Sequence, residues 1–363
     1  MQYKYSDSIL KVNNLKTYYI AHGKVIRAVD GVTFNVKYGE RIGVAGESGS
    51  GKTQTMLSVM GINSGVPGII DGNIILENKD YLDKLPKYCT IEKNHNTLTI
   101  TKDIYCWKKW HFNSMKRILG STISMIFQEP KSSLSPFFTI EKQLFDTFKK
   151  RNHKPDKSKF IESVNYIFKK LQFNNPEEML KKYPHQLSGG ESQRIMMALS
   201  LLCKPKILIA DEPTTALDAL TRYRIIELFK KVIKDRTMSL IYVTHNLNIL
   251  KNLVDKIIIM YKGKIVEQGL IKNVMRESNY RVHPYTEFLK SFLSEKTDLS
   301  QLFDNVSIQN NKNNNNITGC KYYLRCPLKE KLTQDEKKRC RFVEPPLFKV
   351  DTNHYVACWM KGV

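Results

Sequence analysis

RIGVAGESGSGKT, residues 41–53, decides how the rest of the chain is read. A short apolar strand, RIGVAG over 41–46, runs into a glycine-rich turn, and TQTMLSVMGI over 53–62 then reads as a helix. The segment from Gly46 to Thr53 fits the spacing G-x-x-x-x-G-K-[ST], with a strand before it and a helix after it. That pattern suits phosphate. Glycines let backbone N–H groups turn inward around phosphate oxygens, and the helix N-terminus adds a favourable partial charge. Lys52 is expected to reach the β- and γ-phosphates of ATP and Thr53 to hold Mg²⁺. Gly46, Ser48, Gly49, Ser50, Gly51 and Thr55 complete the candidate nucleotide-binding set of this stretch.

Downstream, KILIAD over 206–211 reads as a buried strand that ends in two carboxylates, Asp211 and Glu212. Two acids at a strand end are usually a solvated cap; after a phosphate loop they take on chemistry. Asp211 can contact the Mg²⁺ shell, and Glu212 can polarise an attacking water. SLIYVTH over 239–245 is a second buried strand, closing on His245. Helices are expected over 219–234 and 246–254, and a hairpin over 256–269 around Lys262-Gly263. Upstream, LKTYYI and VTFNV are β-rich runs broken at His22-Gly23 and Tyr38-Gly39. Residues 140–182 look helical, with Ile161, Val164, Ile167 and Leu171 at three- and four-residue spacing. Strands alternating with helices predict a mainly parallel α/β sheet. Residues 78–116 are polar and Lys-rich, carry Trp107 and Trp110, and read as a surface insertion without an assigned function.

HQLSGGE, residues 185–191, resembles the LSGGQ signature of ABC ATPases, with Glu191 at the usual Gln. Ser188, Gly189 and Gly190 lead into a helix over 191–202, so N–H groups there again face a phosphate. In that family the phosphate belongs to ATP held by a partner's loop, so the signature implies a dimer. Three further pieces match the family in order. Gln128 in MIFQEP resembles the Q-loop glutamine that senses Mg²⁺, Ala216-Leu217-Asp218 resembles the D-loop, and His245 resembles the switch histidine that contacts the γ-phosphate. Tyr19, or failing that Tyr18, resembles the aromatic that stacks on adenine. The resemblance narrows to the oligopeptide/dipeptide permease branch through GESGSGKTQT, MIFQEP with Ser133-Leu134 and Pro136, the run from Leu202 to Asp218, and His283-Pro284-Tyr285-Thr286. It covers about residues 8–290, apart from 78–116.

The resemblance implies a P-loop NTPase core with an antiparallel β subdomain, an α-helical signature subdomain and a small Cys-rich C-terminal extension. Expected boundaries are 1–275 for the nucleotide-binding domain, with the helical subdomain at about 120–202, and 276–363 for the extension. It implies Mg-ATP hydrolysis coupled to import of oligopeptides or dipeptides. The expected partners are a second ATPase subunit, as a heterodimer, two membrane permease subunits and an extracytoplasmic substrate-binding protein.

The extension holds Cys320, Cys326, Cys340 and Cys358, while Cys89, Cys106 and Cys203 stand apart. In a cytosolic chain such clustering suggests metal more than disulfides. Four thiolates suit zinc or an iron–sulfur cluster. The resemblance favours a structural 4Fe–4S cluster, with Zn²⁺ as the alternative. An Asn-rich linker over 304–318 is expected to set this tail apart from ATP chemistry.

The formal charge of +23 admits nucleic acid or an anionic membrane face as partner. Its scattered Lys residues, often beside Asn, read more simply as a compositional bias. ABC ATPases that act on nucleic acid or the ribosome usually carry two nucleotide domains in one chain, or long coiled-coil or zinc insertions. One nucleotide domain and no heptad run are found here, so no nucleic-acid partner is expected. No stretch approaches about 20 uninterrupted apolar residues. The N-terminus, MQYKYSDSIL, lacks an apolar signal core. The expectation is a peripheral protein on the cytoplasmic face of the membrane.

Overall fold

The structure, a computed structural model, describes residues 7–94, 97–151, 156–215, 217–234, 237–276, 281–292 and 317–361. Of the expected features, Ala216 of the D-loop and the Asn-rich segment as far as residue 316 lie outside them.

The chain opens with a long hairpin, β1 (Ser8–Ala21) and β2 (Lys24–Lys37), then enters the central sheet as β3 (Arg41–Ala45) and leaves it as α1 (Lys52–Met60). β4 (Pro67–Leu76) returns to pair with β1, and the short β5 (Lys79–Asp80) pairs with β4. These four strands form an antiparallel sheet in the order β2-β1-β4-β5. Next come α2 (Leu85–Tyr88), the hairpin β6 (Cys89–Asn94) and β7 (Thr97–Lys102), and α3 (Ile104–Met115).

β8 (Ile123–Ile126) joins the central sheet, and α4 (Pro130–Ser133), α5 (Ile140–Arg151), α6 (Lys157–Lys170), α7 (Pro176–Lys181) and α8 (Gly189–Leu202) build the helical subdomain. The chain then alternates β9 (Ile207–Asp211), α9 (Ala219–Val232), β10 (Ser239–Thr244), α10 (Leu247–Lys251) and β11 (Lys256–Tyr261). β12 (Lys264–Leu270) turns back at Lys262-Gly263, where φ is 44° and 81°. Both central residues at positive φ suit a tight hairpin whose twist matches its strands. α11 (Ile271–Val274), α12 (Pro284–Ser291), α13 (Gln334–Phe342), β13 (Phe348–Asp351) and β14 (His354–Val356) complete the elements.

The central sheet runs β13-β14-β12-β11-β3-β10-β9-β8. The five strands from β11 to the edge strand β8 are parallel. Successive side chains of a strand point to opposite faces. Ile209, Ile241, Val243 and Ile258 therefore face the core shared with the β subdomain. Leu208, Ala210, Leu240, Tyr242 and Ile259 face the core shared with the helical subdomain. Burial on both faces explains why these strands read as continuous apolar runs.

Two expectations need correction. The stretch 78–116 is not merely a surface insertion. Trp107, His111 and Met115 are all buried, spaced four residues apart along one face of α3. They join Leu82, Leu85 and Cys89 in the core against the β subdomain, and α3 crosses the end of α1 so closely that a Cβ on Gly61 would lie 2.7 Å from His111. The density of Lys on the opposite face hides this stripe in the sequence.

The C-terminal tail, for its part, is not set apart from the nucleotide domain. β14 pairs antiparallel with β12, Glu267 opposite Val356 and Gly269 opposite His354, and so extends the central sheet. Below that pairing Glu267, wholly buried, accepts from the His283 N–H at 2.8 Å and from the Thr286 hydroxyl at 2.5 Å, and meets His354 Nε2 at 2.7 Å. Lys264 and Glu344 close the rim with an ion pair at 2.7 Å. A three-residue strand is too short to announce itself in sequence.

Candidate functional site

The loop after β3 carries its own geometry. A Cβ on Gly46, at φ 153°, would lie 2.3 Å from the Met260 carbonyl oxygen, and one on Gly51, at φ 99°, 2.3 Å from that of Ala28. Only glycine fits at either position. Gly51 caps α1, whose first residue is Lys52. Ser48 and Gly49 are exposed at the rim, while Ser50 is buried with no hydrogen-bond partner on its hydroxyl. Thr55 spends its hydroxyl on the Gly51 carbonyl at 2.9 Å. A buried orphan hydroxyl beside a cradle closed to any Cβ fits an oxygen-rich anion such as a phosphate.

Lys52 is 4% exposed and donates to the carbonyls of Gly46 at 2.9 Å and Glu47 at 3.0 Å. Its ammonium lies 3.7 Å from Glu212. Burial pulls the ammonium below the usual lysine range, and Glu212 and Asp211 oppose that pull. Parallel pairing of β3 with β10 and of β10 with β9 sets the ends of these strands side by side. The Thr53 hydroxyl there donates to Asp211 Oδ1 at 3.2 Å. Burial pushes the Asp211 carboxyl up to about 6; the Thr53 bond works against the rise and the charge of Glu212 adds to it. A hydroxyl and a carboxylate are hard oxygen donors, the set that Mg²⁺ takes.

Glu212 stands at φ 43°, a strained value for a residue with a side chain. Its carboxylate takes the Thr215 hydroxyl at 2.9 Å and meets His245 Nδ1 at 3.1 Å. Lys52, Asp211, Glu212 and His245 thus come together from three elements of the chain, as does Thr53. Gln128, just past β8, is exposed. Thr215 escapes sequence reasoning, although its place three residues after Glu212 is the one signal available.

The signature turn is a reciprocal cap. Ser188 Oγ accepts from the Glu191 N–H at 3.2 Å, and Glu191 Oε2 accepts from the Ser188 N–H at 2.8 Å. An acid or an amide oxygen serves this bond equally, which explains Glu191 where the resemblance has Gln. Gly189 lies beside Leu217, and Asp218 caps α9 by accepting from the Thr221 N–H at 2.9 Å. The signature and the described part of the D-loop are therefore neighbours. Tyr19 packs its ring on Gly65 and bonds its hydroxyl to Gln54, two residues beyond Lys52, and to Asn63. Tyr18 is buried, with its hydroxyl on Asp30 at 2.5 Å.

Cys320, Cys326, Cys340 and Cys358 line one cavity with His283, Pro345 and Trp359. All four are free thiols. Burial first, and then the other thiols, push Cys320 up to about 12 and Cys340 up to about 11. Four such groups ionise together only with a cation among them. Among the described residues, however, no three His, Cys, Asp or Glu side chains gather closely enough to hold a metal ion. The donor set fits a thiolate-bound centre, and the arrangement does not close on a single ion.

The comparisons with known proteins follow the same lines. The family model described as ABC transporter matches residues 29–215. The oligopeptide transport ATP-binding protein AppD of Bacillus subtilis is 34% identical, over 98% of this chain and 97% of that protein. The dipeptide transport ATP-binding protein DppD of Haemophilus influenzae is 33% identical, over 94% and 92%. Among solved structures, the ATP-binding cassette MJ0796, a dimer in a post-hydrolysis state bound to ADP and Pi, superposes with a TM-score of 0.57. It is 23% identical, over 72% of this chain and 98% of that one, a likeness of fold.

Proposed function

The chain belongs to the ABC transporter family and hydrolyses ATP, and on that premise we propose that it powers an importer of oligopeptides or dipeptides. The observation that carries the reading is the meeting of Lys52, Thr53, Asp211, Glu212 and His245 at the ends of three neighbouring strands.

The proposed chemistry is transfer of the γ-phosphoryl group to water. The loop from Gly46 to Thr53 cradles the phosphates through backbone N–H groups, and Lys52 leaves Glu212 for the β- and γ-phosphates. Thr53, Asp211 and Gln128 would hold Mg²⁺, which would supply positive charge against that of the phosphates. Glu212, freed of Lys52, takes the proton of the attacking water, and His245 steadies the γ-phosphate. Tyr19 covers the adenine. Ser188, Gly189, Gly190, Glu191 and Asp218 serve the nucleotide held by a partner chain, so each site closes only in a dimer. The partner ATPase is a related but distinct subunit, and two membrane permease subunits and an extracytoplasmic binding protein complete the machine. No helix among the described residues is long and apolar enough to cross a membrane, which suits peripheral attachment at the cytoplasmic face. The proposed units are 1–275 and 276–363, the second docked on the first. Within the second, the proposed centre is a 4Fe–4S cluster, with Zn²⁺ as the alternative, held by Cys320, Cys326, Cys340 and Cys358; its part is structural.

The test is purification of the tagged chain from membranes together with peptide uptake in cells carrying Glu212→Gln. The reading expects two membrane-spanning subunits to come with the chain, and uptake of labelled peptide to stop in the variant. A chain that instead brings down nucleic acid, with the steep salt dependence of phosphate contacts, would overturn it.

A further inference from the structure

Glu47 is the second residue of the phosphate loop, and three separate elements hold it. Its carbonyl takes Lys52 at 3.0 Å. Its N–H donates to the Tyr285 hydroxyl, on α12, at 2.7 Å. Its carboxylate receives both terminal nitrogens of Arg325, each at 2.8 Å. Arg325 comes from the far end of the chain and directly precedes Cys326, whose thiol lines the four-cysteine cavity. The guanidinium lies over the rings of Phe288, Tyr322 and Tyr261, at 5.1, 5.7 and 5.8 Å from their centroids. Two parallel N–H···O bonds fix direction as well as distance, and aromatic faces keep the planar group from turning.

We propose that Arg325 is a positioning residue for the phosphate loop: by clamping the Glu47 side chain it sets the backbone that receives ATP, and so ties ATP affinity to the folded four-thiol module. The proposal rests on the reading that residues 46–53 bind the phosphates of ATP. A simple tether would not need this contact. The module already has the β12–β14 pairing, the His354–Glu267 contact at 2.7 Å and the Lys264–Glu344 ion pair at 2.7 Å to hold it on the core. Arg325 reaches the loop itself, as does the Tyr285 hydroxyl on the Glu47 N–H, and of the two Arg325 is the one next to a cavity thiol. Its neighbour Tyr322 is buried in the core shared with the helical subdomain, so the turn that presents Arg325 is fixed at its base.

The test uses the full chain, titrated with Mg-ATP and followed by steady-state hydrolysis, with thiol alkylation as the check that the module stays folded. Arg325→Ala is expected to raise the Kd and KM for ATP within the range of roughly 5- to 150-fold that couplings between sites span, with a smaller change in kcat. Arg325→Lys regains part of the loss. Glu47→Ala matches Arg325→Ala, and the double variant is no worse than either, since both remove one interaction. The charge exchange Glu47→Arg with Arg325→Glu restores affinity. Unchanged Kd in Arg325→Ala with the thiols still protected, or losses that simply add, would overturn the clamp. Lys52→Ala runs alongside as the control. If it weakens binding while Arg325→Ala changes nothing, the clamp alone fails. If Lys52→Ala also binds ATP normally, the phosphate-loop reading fails with it.

Discussion

In the phosphate loop, one unbroken stretch from Gly46 to Thr53 supplies the site, and much of what it offers is backbone. In the thiol cavity, Cys320, Cys326, Cys340 and Cys358 arrive from the residue before a turn, the junction of two 3₁₀ segments, α13 and the chain beyond β14. The first region is built by local conformation: glycines that alone fit the backbone, then a helix start. The second is built by docking, through β12–β14 pairing and the buried Glu267. Local geometry leaves a motif in the sequence, whereas docking leaves scattered residues whose meeting place only the fold reveals. The two regions touch at Glu47 and Arg325, so a change in one is readable in the other.

The largest expected effect lies wholly on the phosphate side. Glu212→Gln keeps ATP binding and loses turnover by about 10²–10⁴-fold, the usual cost of a lost general base. The thiol module should be untouched, with alkylation rates as in the parent chain. Near-normal turnover would remove Glu212 from its role. Next comes Lys52→Ala, which weakens Mg-ATP binding by about 1.5–3 kcal/mol, the worth of hydrogen bonds to a charged group. Calorimetric titration reads it; equal affinity in variant and parent would contradict the reading of residues 46–53 as the phosphate site.

The smallest effect compares one histidine from each side. Burial holds His111, on α3, down at about 4 and His283, beside the thiol cavity, down at about 3. Their unfolded value is about 6.5, so between the folded and unfolded values the unfolded chain binds the extra proton. Stability from keeping them neutral is complete above about pH 6.5 and falls by about 1.4 kcal/mol per pH unit per histidine as the pH drops below that. Denaturant midpoints between pH 7 and pH 5 measure the slope. His283→Asn keeps an acceptor for the Tyr285 N–H and should flatten the slope, as should His111→Phe. A slope unchanged by both would mean that neither histidine is held neutral.

The parallel core was legible because its strands are buried on both faces and the phosphate loop fixes where β3 ends. The strand ends that carry Asp211, Glu212 and His245 were legible from the apolar runs before them, while the roles of the three residues are proposed. Glu191 in the signature was legible as a variant, and the reciprocal cap with Ser188 supplies its reason. The packing of 78–116 was not legible. Its stripe of Trp107, His111 and Met115 is only three residues long, and one of them is a histidine that reads as polar. The role of Arg325 was invisible for another cause. It lies 278 residues from Glu47, and nothing local marks an arginine as the partner of a particular glutamate. Tyr285 belongs to a stretch noticed as a family mark, yet its hydroxyl on the Glu47 N–H needed the fold to appear.

In the proposed function this chain hydrolyses ATP in a site completed by another chain's signature turn, and Ser188→Arg is the sharpest probe of that arrangement. The measurement is ATP binding and hydrolysis by the assembled complex carrying that substitution, with assembly followed by light scattering. The chain's own loop is expected to bind ATP as before while hydrolysis at the site facing the substituted turn is lost. Loss of ATP binding to the chain's own loop with assembly intact, or hydrolysis unchanged, would contradict it.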